Sequence, residues 1–93
     1  MIVGTVLIDL NLSGVTSLKE KRRILKPLIT RLQNRFNISI AEVDFNDSLK
    51  MAQLGAAVVS NNKSFADQVL AKVIDHIRSE PEINLADYRV EIL

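Results

Sequence analysis

Two segments with a helical apolar period, each set between segments with a strand-like pattern, constrain the fold of this chain most. In residues 18–36 the apolar side chains recur at about 100° per residue, and residues 63–80 repeat that spacing. Four other segments alternate with a period of two or are rich in β-branched residues, namely 2–12, 38–44, 51–60 and 88–92. The predicted order, strand–helix–strand–strand–helix–strand, is the split βαβ or ferredoxin-like arrangement.

This order predicts a single α+β domain over residues 1–93. Right-handed crossovers place both helices on one face of a four-stranded antiparallel sheet, and we expect the first and third strands at its centre, parallel to each other. The opposite face then carries small and apolar side chains that no helix covers, a larger patch than a soluble monomer usually exposes. This predicts a homo-oligomer whose interface includes Val3, Leu7, Ala41, Val43, Ala57 and Val59.

A basic run opens the first predicted helix. Ser17 and Glu20 have the spacing of a capping box, in which the Ser17 hydroxyl accepts from the Glu20 amide and the Glu20 carboxylate returns to the Ser17 amide. A helix N-terminus attracts anions through its free N–H groups, so Ser17 is predicted to cap an anion-binding end. The predicted phosphate contacts of this helix are Lys19, Lys21, Arg22, Arg23 and Lys26. Lys21 falls near the edge of the apolar stripe and is expected to snorkel to solvent.

The charges are divided unevenly along the chain. Residues 1–36 hold seven basic and two acidic side chains, a charge of +5, whereas residues 37–93 carry a charge of −4. A polar molecule with one basic face has a polyanion as its natural partner. The alternative is that the two halves interleave in space, so that the basic run is an ordinary solvated helix face.

The residues for catalysis are scarce. The chain has no cysteine, and its one histidine, His76, is predicted on the polar side of the second helix. Asp44 and Asp47 resemble part of a cation loop but lack its glycine and distal glutamate, so we interpret them as turn residues. We therefore predict no catalytic residue, no metal site and no cofactor. No apolar run reaches the ~20 residues that cross a bilayer and no basic leader is evident, so we expect a cytoplasmic protein without a membrane partner.

The predicted open sheet face also bears on how the chain could bind RNA. Many RNA-binding domains of this fold stack bases on aromatic residues of the central strands, and here those strands carry Thr, Leu, Gly, Ala and Val instead. Contact with RNA is thus expected through phosphates and through the first helix.

Several segments together resemble the YlxP-like family of small bacterial proteins, catalogued as a domain of unknown function. The resemblance rests on S-L-K-E-K-R-R at residues 17–23 and R-F-N-I-S-I-A-E-V-D at residues 35–44, with shorter matches at 54–55 and 58–61. It implies a ferredoxin-like fold. Members are often encoded beside transcription-elongation, translation-initiation and ribosome-maturation factors, which implies work on RNA or the ribosome. This chain departs from the family pattern at Pro27 and in the turn 45–49, which has no tryptophan.

Three functions remain open at this point. The leading hypothesis is a non-enzymatic protein that binds RNA or a ribosomal particle through the first helix. The second is a self-associating interaction module that uses the open sheet face. The third is a regulatory domain or enzyme that binds a small anion.

Overall fold

The computed structural model describes all 93 residues, Met1–Leu93, and confirms the ferredoxin-like fold. The elements in chain order are β1 (Ile2–Asn11), α1 (Leu18–Arg35), β2 (Ser39–Asp44), β3 (Met51–Ser60), α2 (Lys63–Arg78) and β4 (Asn84–Ile92). The four strands form one sheet in the order β2-β3-β1-β4. The helices cover one face, and the other face is open.

The direction of the two central strands differs from the prediction. β1 and β3 are neighbours, but they run antiparallel, with Ile2 opposite Ser60 and Asn11 opposite Met51. The prediction that they are parallel was wrong, because α1 returns the chain so that β2 runs in the same direction as β1, and the β2–β3 turn then reverses it. All three strand pairings of the sheet are therefore antiparallel.

The core lies between the helices and the covered face of the sheet. It contains nineteen buried apolar residues, among them Leu28 and Leu32 of α1 and Leu70 and Ile77 of α2, each fully buried. Phe65 fits the apolar spacing of α2, but its side chain is 54% exposed, and it lies in the first turn of that helix. No helix of the protein is both long and apolar enough to span a bilayer.

The strand β4 is longer than predicted. It begins at Asn84 instead of residue 88, because Asn84 and Leu85 pair with the end of β1 through a bulge. Asn62 caps α2 by accepting a 3.0 Å hydrogen bond from the Phe65 amide, and α1 ends at Arg35, one residue earlier than predicted. These adjustments leave the order of the elements unchanged.

Candidate nucleic-acid interface on the first helix

Only one of the two hydrogen bonds predicted for the cap of α1 is present. Ser17 has extended backbone angles, and its hydroxyl accepts a 3.1 Å hydrogen bond from the Glu20 amide. The Glu20 carboxylate does not return to the Ser17 amide. It accepts a 3.1 Å hydrogen bond from the Thr16 hydroxyl instead. The helix begins where the sequence places it, so the basic residues that follow lie on its first two to three turns.

Four of the five predicted phosphate contacts are exposed on α1: Lys19, Arg22, Arg23 and Lys26. Only Arg23 has a carboxylate within 4.0 Å, with its guanidinium 3.7 Å from a Glu82 oxygen. Both side chains of that pair are more than half exposed, and an exposed ion pair contributes ~0 to 1 kcal/mol. All four cations are thus accessible to an anionic partner.

The fifth predicted contact, Lys21, is a structural residue, and its prediction as a phosphate contact was wrong. Its side chain is 2% exposed, and its ammonium is enclosed by protein. Nζ donates to the backbone carbonyls of Phe45 (2.7 Å), Ser48 (2.7 Å) and Met51 (2.9 Å). On a helical wheel Lys21 falls between Leu28 and Leu32, so it points into the molecule and not to the edge of the stripe. Its ammonium therefore fastens α1 to the β2–β3 loop.

Glu42 of β2 supplies the counter-charge for this buried ammonium. Its Oε2 lies 3.0 Å from Lys21 Nζ, yet it accepts no hydrogen bond. An ammonium has three N–H donors, and all three are directed at carbonyls. The contact with Glu42 is therefore an attraction between charges, which offsets part of the cost of burying them.

The β2–β3 loop, residues 45–50, is shaped around the same ammonium. Phe45 has a φ of 61°, in the left-handed region, and its amide donates to Asp44 Oδ1 at 2.7 Å. This conformation presents the Phe45 carbonyl to Lys21. The acidic stretch around Asp44 and Asp47 is a turn, and the cation that its loop encloses is the chain's own lysine.

A groove of about 400 Å³ runs between α1 and the β2–β3 loop. Arg22 and Lys26 line its helical wall, and Glu42, Asn46 and Asp47 line the opposite wall. A phosphate inside the groove would meet both signs of charge. A polyanion is therefore expected to approach α1 from its solvent side, where it meets the exposed side chains of Lys19, Arg22, Arg23 and Lys26 without entering the groove.

The predicted interface residues all lie on the face of the sheet that no helix covers. Leu7, Val43 and Val59 are 38%, 50% and 62% exposed, Ala41 is exposed, and Val3 and Ala57 are half-buried. At Gly55, in the middle of this face, an added Cβ would lie 3.1 Å from Val43 Cγ1. The apolar surface is where the sequence predicts it, and its role as an interface stays a prediction.

A small network missed by the sequence reasoning connects the two helices. Glu80 accepts a hydrogen bond from Arg31 of α1, and His76 Nε2 lies 3.9 Å from the same carboxylate. The His76 side chain is 17% exposed, so it is less accessible than the surface position predicted for it. No group of three or more His, Cys, Asp or Glu residues is placed to hold a metal ion.

Comparison with known proteins agrees with the fold and with the family resemblance. The model of DUF503, described as a protein of unknown function, matches residues 3–90. The uncharacterized protein YlxP of Bacillus subtilis (strain 168) is 41% identical over 75 residues, which cover 81% of this chain and 82% of that protein.

Two solved structures show the same architecture. A de novo designed protein with a ferredoxin fold superposes with a TM-score of 0.61 at 13% identity, covering 98% of this chain and 86% of the design. A putative chlorite dismutase gives 0.55 at 15% identity, covering 99% of this chain and 44% of that one. At these identities the likeness concerns the fold alone.

Proposed function

The chain belongs to the DUF503 family of proteins of unknown function, and we propose that it is a non-enzymatic RNA-binding protein that contacts phosphates through α1. The observation that carries this proposal is the set of exposed cations on that helix, Lys19, Arg22, Arg23 and Lys26. Three of the four have no carboxylate within 4.0 Å.

The spacing of these cations favours a partner outside the chain. Lys19 lies three and four residues before Arg22 and Arg23, and Lys26 lies four and three residues after them, so each neighbouring pair shares one side of the helix. Like charges at these spacings destabilise a helix by ~0.2 to 0.5 kcal/mol per pair, and the positive end of the helix dipole adds to the repulsion. An anionic ligand would remove this cost.

The open face of the sheet has no exposed aromatic residue on its central strands, so bases are not expected to stack there and binding would depend on phosphates. Among polyanions, RNA is favoured by the resemblance to a family encoded beside ribosome-maturation factors. We extend the proposal to RNA within a ribosomal particle.

The test is the salt dependence of binding to a fluorescently labelled RNA hairpin, measured by anisotropy. Four phosphate contacts predict that log affinity falls with log salt at a slope of about three. Arg22→Ala with Lys26→Ala is expected to flatten the slope by between one and two units, with little change in melting temperature because both side chains are exposed.

The matched control is Lys63→Ala with Lys72→Ala, which removes the same charge from exposed positions of α2. This variant should keep the slope of the wild-type protein. Binding that does not depend on salt would contradict the proposal. An equal loss in the two double variants would also contradict it, because the effect would then follow total charge and not the surface of α1.

A second candidate function, self-association through the open sheet face, is favoured by the exposure of Leu7, Val43 and Val59. Burial of apolar surface contributes ~25 cal/mol per Å². Ala57 lies on β3 between Thr5 and Ser39, at the centre of this face, so Ala57→Glu would place a charge where two copies meet.

Light scattering at micromolar concentration tests this candidate. The wild-type protein should be larger than one chain and Ala57→Glu smaller than wild type. Gln68→Glu, on the exposed side of α2, is the control and should leave the size unchanged. If Ala57→Glu formed an assembly as large as that of the wild-type protein, the open face would not be where the copies meet.

A further inference from the structure

We propose that the outer edge of β4 pairs with the same edge of a second copy of this chain, antiparallel and with Val90 opposite the partner's Val90. The pairing would join two four-stranded sheets into one continuous sheet of eight strands. The inference rests on the backbone of β4 and on the charges of Arg89 and Glu91, whose side chains lie on the open face beside Leu7 and Thr5. It does not depend on the proposed RNA binding or on the packing of two open faces against each other.

The backbone groups available on this edge follow from the pairing of β4 with β1. Val3 and Leu93 exchange both of their hydrogen bonds, at 3.2 and 2.7 Å. Antiparallel pairs alternate between bonded and non-bonded, so Glu91 and Arg89 bond to β1 as well. The N–H and C=O groups of the intervening residues, Ile92, Val90 and Tyr88, therefore face away from the sheet.

A bulge defines how much of this edge is regular. Asp87 pairs with Asp9 and Leu85 pairs with Leu10, so Ala86 is left without a partner residue. Bulges of this kind interrupt pairing at sheet edges. The regular stretch runs from residue 87 to residue 93, and its centre is Val90. A two-fold pairing that uses the whole stretch must place its axis there.

The side-chain charges select the same register. With Val90 at the axis, Arg89 lies opposite the partner's Glu91, and each dimer contains this pair twice. These are non-bonded pairs, in which facing side chains approach most closely. A register centred one residue earlier would instead oppose Arg89 to the partner's Arg89 and Asp87 to the partner's Glu91. Neither Arg89 nor Glu91 forms an ion pair within 4.0 Å in the single chain, so both are available.

The apolar side chains of β4 fit this register as well. Tyr88 and Val90 face the helix side and are 40% and 43% exposed, although they belong to a strand of the sheet. In the dimer Val90 meets the partner's Val90 and Tyr88 meets the partner's Ile92. The other edge strand, β2, has only six residues, contains a bulge between Glu42 and Asp44, and carries acidic residues with no basic ones. Two copies of β2 therefore have no register in which unlike charges lie opposite each other.

One existing contact competes with the pairing. The outward amide of Tyr88 already donates to Asp87 Oδ1 at 2.8 Å. Four of the six new backbone hydrogen bonds join free groups: two between the Val90 residues, and one from each Ile92 amide to the partner's Tyr88 carbonyl. The two Tyr88 amides must leave Asp87 to complete the set. The dimer is therefore expected to form at the four central bonds first.

The first experiment exchanges charges across the proposed contact. Arg89→Glu places a carboxylate opposite the partner's Glu91, and Glu91→Arg places a guanidinium opposite the partner's Arg89. Each variant alone should therefore dimerise about tenfold more weakly or worse than wild type in light scattering. Mixing the two variants in equal amounts should restore association, because the heterodimer has unlike charges at both positions. A mixture that stays monomeric would overturn the proposal.

The second experiment separates edge pairing from face-to-face packing. Amide hydrogen exchange of the wild-type protein should show protection of the Val90 and Ile92 amides that rises with protein concentration, whereas the Arg89 and Glu91 amides, bonded to β1, are protected at every concentration. Val90→Pro removes the central outward donor at a position where a proline costs the single chain no ladder bond, so it should remain folded and form a smaller assembly than the wild-type protein.

Three results would overturn the edge contact: a monomeric wild-type protein, exchange at Val90 and Ile92 that does not depend on concentration, or a Val90→Pro assembly as large as that of the wild-type protein. If Val90→Pro does not fold, the exchange measurement and the charge mixture on folded proteins still decide the matter.

Discussion

Replacing Lys21 with methionine tests the structural assignment that departs most from the sequence prediction. The substitution keeps a long, unbranched side chain and removes the ammonium. Three carbonyls, of Phe45, Ser48 and Met51, lose their donor, and the Glu42 carboxylate loses its counter-charge. The β2–β3 loop loses its connection to α1.

The magnitude follows from these lost contacts. Each hydrogen bond from a charged donor contributes ~1.5 to 3 kcal/mol, and breaking a buried ion pair by removing one partner costs ~3 to 5 kcal/mol in total. The Glu42 side chain is 23% exposed and retains some hydration, so we expect about 3 kcal/mol, at the lower end of that range. A domain of this size has ~5 to 15 kcal/mol of stability, so the loss would be a large fraction.

The assay is urea unfolding, in which the free energy of unfolding is compared from the midpoints of the transitions at a shared m-value. The control is Arg22→Met, the next residue on the exposed side of α1, which should change stability by no more than ~0.5 kcal/mol. In a thermal scan the Lys21→Met protein should melt at least ~12 °C below the control. Equal stability of Lys21→Met and Arg22→Met would show that the enclosed ammonium does not hold this loop.

Other predictions concern the same helix. Ser17→Ala removes the acceptor of the Glu20 amide and should cost about 1 kcal/mol in urea unfolding; no change would mean that the cap is not needed for the first turn. Lys21→Arg should cost nearly as much as Lys21→Met, because a planar guanidinium cannot direct three donors at three converging carbonyls; a stability equal to wild type would show that the loop adapts. The wild-type protein should co-sediment with ribosomal particles from lysate at low salt, and the double variant Arg22→Ala with Lys26→Ala should not. If only the α2 double variant, Lys63→Ala with Lys72→Ala, failed to co-sediment, the assignment to α1 would be contradicted.

The order of the elements was predictable because each element has a local signal. The apolar stripe of α1 and the alternation of β1 can be read without any knowledge of their partners. The relative direction of β1 and β3 has no local signal in the sequence, because it depends on how many times the chain reverses between the two strands. The predicted parallel direction was therefore wrong, although both strands were located correctly. The first part of β4 has a weak local signal, because Asn84 and Asp87 disfavour strands and are held there by pairing with β1.

The role of Lys21 was not predictable from composition or charge, because its partners are backbone carbonyls more than twenty residues away. Every residue has a carbonyl, so a site made of carbonyls leaves no side-chain pattern in the sequence. One signal was present: Lys21 lies inside the apolar stripe, between Leu28 and Leu32 on the wheel. A lysine there must be paired or enclosed, and Glu42 on the neighbouring strand was its available counter-charge.

The most direct test of RNA binding through α1 is an NMR titration of the protein with an RNA hairpin at low salt, followed through backbone amides and arginine side chains. Shift changes are expected at Ser17 through Lys26, reversed by added salt, with β1 and β3 unchanged on the open face. Changes confined to Thr5, Leu7 and Ala57 on that face, with α1 unaffected, would contradict it.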